Sequence, residues 1–490
     1  MGVLDVCQTG AYPIYVLSLL LLTYLLNQLD RYVLAIVAQP LAQDLHFGDR
    51  SCLQNGSEWQ GHLPCANGSS EERCLSFLND NGSHYCKWDF NGNGWEYQVI
   101  AGPVFILIYT FMGVVMGFLA DATNRKNLLS LSLFLWSLLT LLMGFAKRYW
   151  HLVLMRFGQA IGEAGCTPFA VSLIMDYFPA VARGSAMGVY NWGIYGGYSL
   201  AYAIGSYIPR ANINGMGWRW AFFLSGMPGL LLGVVLAVTV REPPRAGGAG
   251  EEEAVGNMTL REKLRTTVRS FLNPPLLLLC LAGSVRNAGG YVWAYNAQNY
   301  FNFYYSQVDV GRWLSWIPLV GGFLGALLGG VISDRVVQKR GLHARIWVLV
   351  ISQVAAAPCV AGALWLKPPY CFLSLIPGCM LGEMWGGVTL TIVVELVGPA
   401  IRSCAVGFYL FIISNVGGNA PLLLPALSQH WGLRGALLLL YPGTYLAGSL
   451  LFLLTLFVLR RDQETSEERR PLLSSSSGGQ EHEGGHRKYS

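Results

Sequence analysis

Charge is scarce in this chain. Lys, Arg, Asp and Glu together make up 12% of its 490 residues, about half the roughly 25% of an average soluble domain. A solvated globule is therefore not expected. The mean hydropathy is +0.40, and apolar runs of ~20 residues recur along the whole length, as in a polytopic helical membrane protein. Histidine is also scarce and dispersed. There is no cluster with metal-ligand spacing and no Ser/His/Asp set with a supporting motif. The glycines of "GSVRNAGG" lack the Lys-Ser/Thr of a phosphate-cradling loop. The sequence thus offers no basis for an enzyme, a resident metal or a cofactor. No basic stretch is interleaved with stacking aromatics, so nucleic acid is not expected as a partner. The opening "MGVLDVCQTGAYP" lacks the basic region of a signal peptide, and the apolar run after it is too long for one. That run is expected to be a retained first span.

What is present is a rhythm of twelve apolar runs. They fall near 13–40, 98–120, 127–146, 150–175, 184–208, 219–240, 273–300, 311–333, 345–366, 370–394, 402–427 and 433–459. The fold class expected is all-α, with twelve transmembrane helices. Basic residues gather in short connections: Arg125 and Lys126, Arg241 to Arg269, Arg335 to Arg345, then Arg460 and Arg461. The positive-inside rule makes these loops cytosolic, which puts both termini in the cytosol.

Two segments break the rhythm. Residues 41–97 contain Cys52, Cys65, Cys74 and Cys86 and the sequons at Asn55, Asn67 and Asn81. Topology puts this loop on the side where disulfides persist and glycans are added. Two disulfides are expected among three possible pairings. Residues 241–272 open with "REPPRAGGAGEEEA", which reads as a flexible cytosolic linker. The expected organisation is an N-terminal six-helix bundle at 1–240, the linker, a C-terminal bundle at 273–459 and a disordered tail at 460–490.

The two halves carry matching text. "GFLADATNRKN" after span 2 is answered by "GGVISDRVVQKR" after span 8, and "GEAG" at Gly162 by "GEMWGG" at Gly382. "DYFPAVARGSAMG" is answered by "ELVGPAIRSCAVG", with Arg183 in step with Arg402 and Gly188 with Gly407. Motifs that stay in register are the mark of an internal repeat. This layout resembles the major facilitator superfamily, which implies two pseudo-symmetric six-helix bundles around a central cavity. The resemblance further implies a gating charge relay at Asp121, Arg125 and Lys126, with a second copy at Asp334, Lys339 and Arg340. "NQLDR" in span 1, "RFGQAIGEAG" in span 4 and "REPPR" after span 6 look like the spinster family of lysolipid and sphingolipid transporters.

Charges inside spans cost about 2.5–3.5 kcal/mol each on insertion scales and usually mark pathways. Span 1 holds Asp30 and Arg31, with Asn27 one turn earlier; span 4 holds Arg156 and Glu163. The seven residues between the last two put them on one helix face, about 10 Å apart. Antiparallel spans 1 and 4 are expected to bring Asp30 level with Arg156, as an acid–base pair that breaks and remakes. Asp30, Glu163 and, from span 10, Glu383 are the expected proton-coupling acids, and the spinster resemblance implies the same for the span 1 and span 4 charges. The expected substrate contacts are Asn27, Arg31, Arg156 and Arg286, then the wall of span 7 formed by Asn287, Tyr291, Tyr295 and Gln298. Gly289 and Gly290 are expected to let span 7 bend.

The tail reads "EERRPLLSSSS", in which Glu468, Leu472 and Leu473 resemble the acidic dileucine signal read by clathrin-adaptor complexes. The expectation is a proton-coupled symporter of the lysosomal membrane that exports a degradation product, a lysophospholipid or related amphiphile. A small hydrophilic metabolite, a non-transporting sensor of the same fold, and a plasma-membrane location remain open.

Overall fold

The computed structural model describes residues 10–54, 65, 70–78, 84–243, 260–305, 307–340, 343–397 and 401–477. The sequons Asn55, Asn67 and Asn81 lie outside the described residues. So do the side chains of Asp121, Lys339, Arg340, Glu468, Leu472 and Leu473.

Among the described residues, the helices fall along the chain into two sets of six spans, several of them broken. In the first set, span 1 is Ala11–Ile36, span 3 Arg125–Met143, span 5 Ala180–Ala211 and span 6 Arg219–Thr239. Span 2 is broken into Trp95–Ala101 and Pro103–Ala122, and span 4 into Tyr149–Glu163 and Cys166–Tyr177. In the second set, span 7 is Pro274–Tyr304 and span 9 His343–Trp365. Span 8 is Val310–Leu314 with Ile317–Arg340, and span 10 is Tyr370–Gly382 with Trp385–Leu396. Span 11 begins at Arg402, and Gly432, at φ 69°, makes the corner that begins span 12. Among the described residues, nine helical stretches are by length and composition apolar enough to cross a membrane, or ten when span 7 is counted together with the helix bent away from its start.

Two expectations need correcting. The segment read as a flexible linker contains a helix, Leu260–Phe271. Its "LREKLRTTVRSF" is rich in helix formers, which the Pro/Gly-rich opening of the linker masked. The last helix runs Pro442–Ser477, so the backbone of the tail up to Ser477 is helical rather than disordered. Residues 460–470 carry four Arg and three Glu, helix formers that continue a helix already nucleated in span 12.

The loop after span 1 folds into a small cystine-linked unit. Strands β1, Arg50–Gln54, and β2, Cys86–Phe90, pair antiparallel, with Cys52 opposite Trp88 and Gln54 opposite Cys86. The disulfides are Cys52–Cys74 and Cys65–Cys86. This face is the loop face below; the opposite face carries the matching loops after spans 2 and 8.

Hydrogen bonds between the halves gather at the loop face. Tyr97 donates to the Tyr295 carbonyl, and Gln98 to Asn296 at 2.7 Å. Asn299 reaches the Gly92 carbonyl at 2.7 Å, Asn302 bonds Gln39 at 2.8 Å, and Arg210 pairs with Asp309 at 3.3 Å. At the opposite face, ion pairs bind helices within each half. Arg125 holds Asp176 and, at 2.7 Å, Glu242. Arg345 holds Asp334 at 2.8 Å and Glu395 at 3.0 Å. Lys126 donates to the Ala237 carbonyl at 3.1 Å. Of the expected gating charges, Arg125, Lys126 and Asp334 therefore fasten helix ends inside one bundle.

Candidate functional site

Spans 4 and 10 both break at their acid. The first helix of span 4 ends at Glu163 and that of span 10 at Gly382, one residue before Glu383. A break frees backbone carbonyls that must find other donors inside a membrane. In each half an arginine from the first span of the repeat comes to the break. Arg31 Nη2 lies 3.1 Å from Glu163 Oε2. Arg286 donates to the freed Gly382 carbonyl at 2.6 Å and stands 3.7 Å from Glu383 Oε1. The internal repeat thus builds one guanidinium–carboxylate pair twice.

The pairs differ in seating. Glu163 is fully buried, and Gln159 donates to its second oxygen at 2.9 Å. The Arg31 guanidinium lies 4.4 Å from the Tyr109 ring centroid and 5.0 Å from that of Phe105. Glu383 is 38% exposed into the cavity, and its other oxygen meets Tyr195 of span 5 at 3.5 Å. Arg286 is buried over the Tyr445 ring at 3.8 Å and also donates to Gln353. Of the two carboxylates, Glu383 faces the cavity and Glu163 is sealed from it.

Arg156 does not pair with Asp30. Its guanidinium is spent on the carbonyls of Ile100 at 3.4 Å and Arg31 at 3.1 Å and on Gln159 Oε1 at 2.9 Å. The break in span 2 at Gly102 leaves carbonyls for it to satisfy, an obligation that helix periodicity does not reveal. Asp30 turns away from Arg31, as consecutive residues on a helix must. Its carboxylate is buried, with Ser225, Trp136 and the Glu163 carboxyl around it, and no cation pairs with it among the described residues.

Between the halves lies a cavity of about 330 Å³. Of the expected contacts, Arg31, Arg286, Asn287 and Tyr291 line it, as does Glu383. Asn27, Arg156, Tyr295 and Gln298 do not. Asn27 accepts from Gln28 at 3.2 Å within span 1, Tyr295 is wholly buried, and Gln298 bonds Asn302 near the loop face. Gly289 does not bend span 7, which is continuous through it; a Cβ there would meet Thr444 Oγ1 at 2.2 Å, so the glycine admits span 12.

The sequence reading missed most of the aromatic lining: Tyr24, Tyr32, Tyr195, Tyr198, Tyr441 and Tyr445. A signal existed in "GIYGGYSLAY", where tyrosines at 195, 198 and 202 keep helical spacing while Gly193 and Gly197 take the other face. A Cβ at Gly197 would lie 2.3 Å from the Leu25 carbonyl, so the glycines seat span 5 on span 1 and turn the tyrosines inward. A second, almost wholly apolar pocket of about 300 Å³ lies between spans 5 and 8, lined by Trp192, Leu319, Val320, Phe323 and Leu324. Tyr195 borders both spaces.

The chain matches the sequence model of the Major Facilitator Superfamily over residues 20–420. An MFS-type efflux pump of Mycolicibacterium smegmatis is 26% identical over 379 residues, covering 74% of this chain and 84% of that protein. Protein spinster of Drosophila melanogaster is 26% identical over 339 residues, which are 66% of this chain and only 54% of spinster. A sphingosine-1-phosphate transporter of Danio rerio is 35% identical over 144 residues, 29% of this chain and 28% of that protein. Among solved structures, a bacterial homolog of the human lysosomal transporter spinster, inward-facing and unoccupied, superimposes with a TM-score of 0.67. It is 23% identical and covers 92% of this chain and 97% of its own.

Proposed function

The chain belongs to the Major Facilitator Superfamily and is a membrane transporter, and from that premise we propose that it moves an anionic or zwitterionic amphiphile, a lysophospholipid in the first place, coupled to protons. The observation that carries this reading is the pairing of two spaces. A polar cavity holding Arg31, Arg286 and Glu383 adjoins, at Tyr195, an apolar pocket between spans 5 and 8. A lysolipid needs both, with its headgroup on the guanidinium groups and its chain against Trp192 and Phe323. A small hydrophilic solute leaves the apolar pocket unused.

The arrangement supports a mechanism. The halves are fastened at the loop face, so the cavity opens toward the opposite face. The basic loops make that face the cytosol, and this conformation is then inward-facing. Glu383 holds Arg286 loosely at 3.7 Å, and a phosphate displaces it with better charge-assisted geometry. In the other half the buried Asp30 carboxyl lies beside Glu163, which Arg31 holds at 3.1 Å. Gain or loss of one proton by these two acids changes how strongly Glu163 holds Arg31, and Arg31 reaches the cavity directly. Span 1, which carries both Asp30 and Arg31, also contacts spans 5 and 7 and so transmits the change to the interface.

The spinster relatives and the dileucine-like tail favour the lysosomal membrane, with export to the cytosol along the proton gradient. Clathrin adaptors are then the partners of the tail, and the cystine-linked loop, with its sequons, is luminal. The test is a lipid and metabolite profile of purified lysosomes from cells with and without the protein. Accumulation of lysophospholipids in the deficient lysosomes is expected. Accumulation of a water-soluble solute alone would replace the lipid reading, and an unchanged profile would end the export reading.

A further inference from the structure

The helix Leu260–Phe271 stands in the loop between the two bundles, and its part Arg265–Phe271 meets span 7 at 82° after a break at Leu272 and Asn273. A helix at nearly a right angle to a membrane span, at its very end, lies along the membrane surface. Its composition suits that position. In the sequence Leu260, Leu264, Val268 and Leu272 recur at intervals of four, as do Arg261, Arg265 and Arg269. The segment holds the bases Arg261, Lys263, Arg265 and Arg269 against the single acid Glu262.

One edge of the apolar face is used by the protein. Thr267 and Phe271 are buried, and the Phe271 ring meets Phe408 of span 11 edge-on at 4.9 Å. The other edge is not. Val268 is 41% and Leu272 69% exposed, and Arg265 and Arg269 are exposed beside them. Exposed leucine and valine flanked by arginines are the pattern of a helix seated at the headgroup boundary.

We propose that Leu260–Phe271 is a docking surface for an anionic phospholipid leaflet, with Val268 and Leu272 entering the acyl boundary and Arg265 and Arg269 binding lipid phosphate or carboxylate groups. Charge complementarity selects the anionic lipid, because a zwitterionic surface offers the arginines no net field. The site is separate from the transport cavity but joined to it. The helix leads directly into span 7, which carries Arg286, Asn287 and Tyr291, and Phe271 pins it to span 11. Lipid charge therefore acts on the tilt of a cavity-lining helix. This inference requires the chain to be membrane-embedded; it does not depend on the substrate or on proton coupling.

The test uses the full chain in nanodiscs of phosphatidylcholine alone or with about one third phosphatidylserine in both leaflets, which makes the result independent of orientation. Hydrogen–deuterium exchange is read on peptides covering residues 260–272. An arginine near an anionic surface is worth roughly fivefold, so two arginines give exchange slowed by up to about 30-fold in the anionic discs at low salt. The Arg265→Gln/Arg269→Gln chain should lose that difference while spans 7 and 11 exchange as before, and added salt should erode it in the native chain. Equal exchange of the native chain in the two lipids, or a lipid difference that survives the double substitution, would overturn the proposal.

Discussion

At the scale of single residues, the account turns on which charge each arginine serves. Arg31 and Glu163 form a dry pair, and breaking such a pair leaves a buried charge without compensation, at about 3–5 kcal/mol. Arg31→Met is therefore expected to lower the melting temperature of detergent-solubilised protein by several degrees. Arg31→Met combined with Glu163→Leu should regain much of that loss, a coupling that a thermal double-mutant cycle measures directly. Arg286 and the half-exposed Glu383 give a contrasting expectation. Glu383→Gln should leave the melting temperature nearly unchanged and, on the proposed function, in which that carboxylate competes with the ligand for Arg286, alter apparent substrate affinity. These partnerships were half legible beforehand. Intramembrane charges announce themselves by their cost, so Asp30, Arg31, Glu163 and Arg286 could be picked out. The partner of Arg156 could not, because backbone carbonyls freed by the break in span 2 leave no trace in residue type.

One titrating group outside the spans supports a pH prediction. Asp49 sits at the start of the cystine-linked unit, where partial burial and, second, the neighbouring Glu96 carboxylate raise its pKa above the usual aspartate value. An acid whose folded pKa is raised favours the protonated folded form. Its contribution therefore stabilises the unit at acidic pH and is lost as pH rises from the ordinary aspartate value through the raised one. Exchange protection of β1 and β2 should fall across that window, and Asp49→Asn should flatten the trend; protection that rises with pH would contradict the assignment.

At the scale of elements, glycine governs how the helices approach. Gly321, Gly325 and Gly329 recur every four residues on span 8 and lie against span 10, where a Cβ at Gly325 would come within 2.2 Å of the Met380 carbonyl. Such small-residue stripes let membrane helices touch backbone to backbone. Gly325→Val forces the two helices apart just before Glu383, and overpacking of this kind costs about 1–3 kcal/mol. A lowered melting temperature together with impaired transport is expected, whereas the same substitution at Gly330, whose Cβ direction is open, should be silent. The spans themselves were legible because apolar length and basic loops act locally. The helix breaks at Glu163 and Glu383 were not, although the matching "GEAG" and "GEMWGG" marked their places. The helix in the linker was hidden by its Pro/Gly-rich neighbours. The choice of Cys52–Cys74 and Cys65–Cys86 among three pairings depends on the β1–β2 register, which cysteine spacing does not encode.

At the scale of the whole molecule, the two repeats seat the same pair differently, and the proposed function gives them two tasks. The first half keeps its guanidinium–carboxylate pair dry and crowded with a second acid and a second base, which suits proton binding. The second half opens its pair to the cavity, which suits a ligand. The hydrogen bonds at the loop face hold one access route closed, and alternating access requires that they part when the opposite face closes. The most direct test is transport itself, in proteoliposomes containing the native chain or Glu163→Gln, with a spin- or fluorophore-labelled lysophospholipid and an imposed pH difference. The account predicts movement of the lysophospholipid that follows the proton gradient in the native chain, stops when a protonophore collapses it, and no longer responds to it in Glu163→Gln. Movement indifferent to the gradient in the native chain, or equally gradient-driven in Glu163→Gln, would contradict it.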